Sequence, residues 1–112
     1  MEAIYQALGV EQGDLSVRAI HFEHWGRRLV FACRYRAGDQ AGDFTMTFED
    51  CRELRWRVYV HAEPQPEAAI ADFKPGRDRH RSPAHLLTDY FGLSLVYGSL
   101  EIRSDGDAVS GA

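Results

Sequence analysis

From Leu15 to His61 apolar and polar residues alternate with a period of two. Ile20 and Phe22 share one side in the first run, and Leu29, Phe31, Cys33 and Tyr35 do so in the second. Phe44, Met46 and Phe48 follow in the third, then Leu54, Trp56, Val58 and Val60 in the fourth. Successive side chains of a strand point to opposite faces, so the pattern predicts a four-strand antiparallel meander with one buried face. Its register follows from turn chemistry. Pairing Trp25 with Arg28 leaves Gly26-Arg27 as the loop, and glycine at the first central position suits a type II′ turn. Phe22 then falls opposite Phe31 and Ile20 opposite Cys33. A loop of Glu49 to Glu53 pairs Phe48 with Leu54 and Met46 with Trp56. A slip of one residue would turn an apolar set to water.

The flanks read differently. Residues 2–8 have helical spacing, with Ile4, Ala7 and Leu8 on one face and Gly9 as a stop. Pro64, Pro66, Pro75, Gly76 and Pro83 break the alternation across residues 62–85. A short helix is predicted after Pro66, where Ile70 and Phe73 stand three apart, and a second after Ser82-Pro83, running toward Gly92. Leu93, Leu95 and Tyr97 alternate again, and a bulge at Gly98 would carry the apolar phase on to Leu100 and Ile102. The expected architecture is an α+β domain over residues 1–103. It has an antiparallel sheet of about five strands, built from meander, irregular crossover and final strand, with short helices. Residues 104–112 read as a flexible acidic tail.

Length and composition support one domain with one core. No stretch approaches the ~20 apolar residues of a membrane helix, and Glu2 stands where a signal peptide carries Lys or Arg. The expected compartment is the cytoplasm, with no membrane association. Cys33 and Cys51 then read as free thiols.

Charge adds the one local contrast. The chain carries −4, yet between Lys74 and His85 the cations Lys74, Arg77, Arg79 and Arg81 against Asp78 give +3 with histidines neutral. A cation cluster on an acidic body suits an anionic protein partner or ligand. In the predicted register a second cluster forms on the outward face, where Arg34, Arg55 and Arg57 converge with Arg36 around Thr45 and Thr47. Twelve of the thirteen basic residues are arginine, whose planar fork binds carboxylate and phosphate better than lysine. The expected binding residues are Arg77, Arg79, His80, Arg81, Arg34, Arg55 and Arg57. Trp25, beside a turn, is the aromatic expected to be exposed and available to a partner.

Recognisable catalytic chemistry is missing from the sequence. It has no GxSxG elbow, no phosphate-binding glycine motif, no HExxH and no CxxC. No metal site or cofactor is expected. The leading expectation is a small binding or accessory protein without catalytic activity. An alternative is a small enzyme using Asp89, flanked by apolar residues, with His80 or His85. Cys51 would be reactive if Arg52 or Arg55 stabilised its thiolate. A nucleic-acid-binding module is a further alternative, disfavoured by net acidity, and would need a continuous basic stripe joining Arg34, Arg55 and Arg57 to the Lys74–His85 segment. The final strand has no charge before Glu101, so a homodimer is also expected, through that strand or Trp25.

Overall fold

A computed structural model describes residues 1–59 and 65–105. It replaces the expected α+β architecture with an almost wholly β one. One short helix, α1 (Glu2–Leu8), precedes eight strands: β1 (Asp14–Glu23), β2 (Arg28–Ala37), β3 (Gln40–Glu49), β4 (Leu54–Val58), β5 (Ala68–Lys74), β6 (Ala84–Thr88), β7 (Phe91–Leu95) and β8 (Ser99–Ser104). They form a single antiparallel sheet in the order β4-β7-β6-β5-β1-β2-β3-β8.

The expected helices at 66–73 and 84–91 are strands β5 and β6 with the start of β7. The physical reason is a bulge. The β5–β6 register slips between Ile70 and Asp72, so Ile70 and Phe73 both face inward although three residues apart. The expected final strand is two strands, and Gly98 lies between them. β7 is interior, between β4 and β6, whereas β8 pairs with β3 at the other end of the sheet.

The meander holds for three strands and then fails. β1 pairs with β2 and β2 with β3, but β3 takes β8 as its next neighbour. Phe48 therefore faces Leu100 and Met46 faces Ile102, in place of Leu54 and Trp56. β4 pairs with β7, with Trp56 opposite Leu93. The first hairpin is also longer than expected. Glu23 pairs with Arg28, and residues 24–27 form the turn, a 3-10 turn with Trp25 at φ 62° and Gly26 at φ 93°. Phe22 then sits opposite Leu29 and Ile20 opposite Phe31, and a bulge at Arg18 brings Val17 opposite Cys33. The slip is even, so each inward set stays inward.

The sheet divides into two halves, β1-β2-β3-β8 and β5-β6-β7-β4. The seam between β1 and β5 has only Ser16↔Ala69 and Val17↔Ala68 in register. The apolar faces of both halves close on one core. Leu29, Phe31, Phe44, Met46 and Phe48 contribute from one side, and Phe73, Leu86, Leu93 and Leu95 from the other. Phe48 meets Phe31 and Tyr97 edge-on, with ring centroids 5.5 and 5.1 Å apart. α1 packs against β8, buries Ile4, and its Met1 ammonium donates to Phe73 O of the other half at 2.7 Å. Gly9, at φ 71°, stops the helix as expected.

The chain passes between the halves twice within the described residues after β3, at residues 50–53 and 96–98. These two crossings lie side by side. Arg52 N donates to Val96 O (2.8 Å), Val96 N to Glu53 O (3.0 Å) and Gly98 N to Glu49 O (2.9 Å). The core tops these crossings, so its centre is the place to test the assembly. Phe31→Ala removes a fully buried ring from between the halves and should lower unfolding free energy by about 3–5 kcal/mol, read from urea denaturation. A loss below about 1 kcal/mol would mean that the halves do not share this core.

Candidate functional site

Four turns gather where the crossings meet: residues 24–27, 50–53, 77–82 and 96–98. Cys51 N donates to Arg27 O (2.8 Å), Arg79 N to Gly98 O (2.8 Å) and His80 N to Tyr97 O (2.8 Å). Asp50 is their hub. Its carboxylate meets Arg27 at 3.1 Å, His80 at 3.3 Å and Arg52 at 3.8 Å, and its carbonyl meets the His80 ring at 2.8 Å. The hydrogen bond from Arg27 first, then the charges of His80 and Arg52, hold the Asp50 carboxyl below its ordinary value against some desolvation.

The backbone here is unusual. His24, Trp25, Asp50, Arg79 and His80 all have positive φ, and they are the only non-glycine residues to do so among those described. Trp25 is fully exposed at the tip of its turn, and Phe22, in the inward phase of β1, is 55% exposed. β1 pairs with β5 only at Ser16 and Val17, so β5 gives its last residues no ladder partner among the described residues. Exposed arginines stand on the same linked turns. Arg27 and Arg52 hold one edge of Asp50, while Arg77 and Arg79 have no ion pair among the described residues. Arg81 pairs with Asp78 at 2.8 Å.

The expected binding residues are therefore divided. Arg77, Arg79, His80 and Arg81 form the turn between β5 and β6, and His80 is anchored on Asp50 rather than open to a ligand. Arg34 is on β2, between Asp43 (3.4 Å) and Glu67 (3.1 Å), which neutralise it. Arg55 and Arg57 are on β4, opposite Ser94 and Gly92 of β7, away from Arg34 and Thr45. The expected cluster around Thr45 and Thr47 does not form, because β8 supplies Arg103 and Glu101 opposite those threonines. The continuous basic stripe that nucleic-acid binding calls for is broken in the same way.

The carboxylate and histidines of the enzyme alternative do not converge. Asp89 follows β6 and His80 precedes it, so a strand of roughly 16 Å separates them. Asp89 caps the β5–β6 edge instead, accepting from Ala69 N at 2.8 Å. His85 is exposed on β6 beside Ser94 and Arg55. Cys51 is no activated thiol: it is buried, donates to Phe48 O at 3.3 Å, and burial raises its pKa. Cys33 is also free, and burial pushes it up to about 12. Among the described residues no three His, Cys, Asp or Glu side chains gather as a metal site would require, and no helix is long and apolar enough to cross a membrane. Val60, His61 and Pro64 lie outside the described residues, as does the expected tail from residue 106.

Sequence reasoning found Trp25 and the basic turn but did not join Arg27 and Arg52 to Asp50. A usable signal existed: in antiparallel strands alternate turns fall at one end, which brings 24–27 and 50–53 together. Nothing in the sequence placed 77–82 beside them. Asp50→Asn tests the hub, since asparagine keeps the left-handed backbone and removes only the charge. A depressed carboxyl adds stability above the ordinary aspartate range and loses it as pH falls through the folded value. The variant should melt below the parent at neutral pH, and the gap should close on acidification below about pH 4. A gap that stays constant to the acid limit would show that the charge contributes nothing. No protein-family model matches the chain, and no curated protein matches it.

Proposed function

We propose that this chain is a small cytoplasmic binding protein that grips an acidic protein partner through the four-turn end, without catalysing a reaction. The observation that carries the reading is Trp25, fully exposed on a left-handed backbone and accompanied by exposed Phe22, Arg27, Arg52 and Arg79. Exposed tryptophan and arginine are the side chains that dominate binding energy at protein interfaces. Arginine also offers a bidentate fork to a carboxylate. Turn conformations held by backbone hydrogen bonds to the crossings keep these groups in place before a partner arrives, which lowers the ordering cost of association.

Capture from cell lysate on the immobilised protein provides the test, with quantitative identification of what is retained. Acidic proteins should be retained by the parent, and lost by more than about tenfold with Trp25→Ala and with Arg79→Glu plus Arg81→Glu. Retention should also weaken as the Debye length shrinks from about 10 Å at 0.1 M salt to about 3 Å at 1 M. Identical retention by parent and variants at every salt concentration would refute the reading.

A further inference from the structure

We propose that β4 is a docking edge to which an extended segment of an acidic protein, with acidic and apolar residues in alternation, adds as the next strand. This goes beyond the four-turn surface and stands on different residues. β4 ends the sheet: β7 is its neighbour on one side, and no strand pairs with the other among the described residues. The hydrogen-bond phase shows which groups are open. Val96 N donates to Glu53 O and Tyr59 N to Tyr90 O, so the odd-numbered residues bond across to β7. In an antiparallel ladder the backbone groups of Leu54, Trp56 and Val58 then point to the free edge.

The two faces of this strand carry different side chains. Trp56 and Val58 are in the core phase, yet are 43% and 64% exposed. Trp56 is stacked on buried Phe91, ring centroids 4.4 Å apart and planes 13° from parallel, so it is fixed in position. The opposite face carries Arg55 and Arg57, exposed, beside an open depression with Tyr59, His85 and Ser94. Neither arginine has an ion pair among the described residues, whereas Arg18, Arg28, Arg34 and Arg103 on other strands each have a carboxylate within 4.0 Å. An unneutralised pair of cations two residues apart on one face, with apolar groups on the other, matches a strand that carries acids on one face and apolar residues on the other.

Charge decides against a second copy pairing through its own β4. Symmetric antiparallel pairing of β4 with itself centres on Trp56 and sets Arg55 opposite Arg57 of the other copy. Shifting by two residues either way centres the pair on Arg55 against Arg55 or Arg57 against Arg57. Every register that overlaps three or more β4 residues thus opposes like charges, which destabilises directly facing cross-strand pairs. The same two cations that blunt the edge against its own kind leave it open to an acidic strand.

The test uses the full chain and a short fluorescein-labelled peptide alternating glutamate and valine, with an alternating lysine and valine peptide as control. Anisotropy should show the glutamate peptide binding at least about tenfold tighter. On binding, the amides of Leu54, Trp56 and Val58 should gain protection from hydrogen exchange while those of Arg55 and Arg57 stay unchanged. Arg55→Glu with Arg57→Glu should invert the peptide preference. Trp25→Ala should leave it intact, which separates this inference from the four-turn reading. Val58→Pro should abolish binding, because it removes an edge N–H and no ladder bond. If that variant does not fold, the exchange pattern of the parent decides. Equal affinity for both peptides would overturn the proposal, as would protection arising away from β4. Protection of the same edge amides by rising protein concentration alone would place a second copy there and overturn it too.

Discussion

Neither half of the sheet has more than one apolar face, and that constraint governs the molecule. A four-strand layer with one face of phenylalanine, leucine and methionine is stable only when that face is covered. The two halves cover each other. Their seam is slight, with two residue pairs between β1 and β5. The apposition therefore rests on the shared core and on the crossings at 50–53 and 96–98, whose backbones bond one another. α1 fastens a further side by packing on β8 and bonding Phe73.

The surface at the four turns is a by-product of that closure. Where two crossings and two hairpin turns must fit together, five non-glycine residues adopt left-handed backbone. Such conformations persist only where neighbouring structure over-determines them. Here the bonds from Cys51, Arg79 and His80 to Arg27, Gly98 and Tyr97, with the Asp50 ion pairs, supply that support. Constrained backbone and exposure thus coincide at these turns, and Trp25 stands fully exposed on one of them.

Much of the first half of the fold was legible, because β2, β3 and the end of β1 alternate cleanly, although the bulge at Arg18 shifts the phase within β1. Helix α1 was legible from spacing and its glycine stop. The second half was not, for two local reasons. In β5 the bulge after Ile70 converts a period of two into a spacing of three, which imitates a helix. In β6 the inward positions are Ala84, Leu86 and Thr88, so a polar residue occupies a core site. Thr88 is satisfied there by donating to Phe91 O and accepting from the Tyr90 and Phe91 amides, a turn-closing role that no periodicity reveals. The pairing of β3 with β8 rather than β4 was equally hidden, since it depends on a strand far along the chain. Of the candidate site, residue types were legible and their company was not. Arg34 looked free in sequence and is neutralised by Asp43 and Glu67, the latter from a segment expected to open a short helix.

The place of β4 in the sheet has a consequence for how the chain reaches this fold. β4 is made early, directly after the hairpins of β1, β2 and β3, but its ladder partner β7 follows β5 and β6. Contacts so distant in sequence form slowly, after loop closure has been met. Until then Leu54, Trp56 and Val58 form an unpaired apolar ribbon on a nascent chain, the kind of segment that seeds aggregation. Arg55 and Arg57, placed between them, are the charges that keep such ribbons from meeting one another.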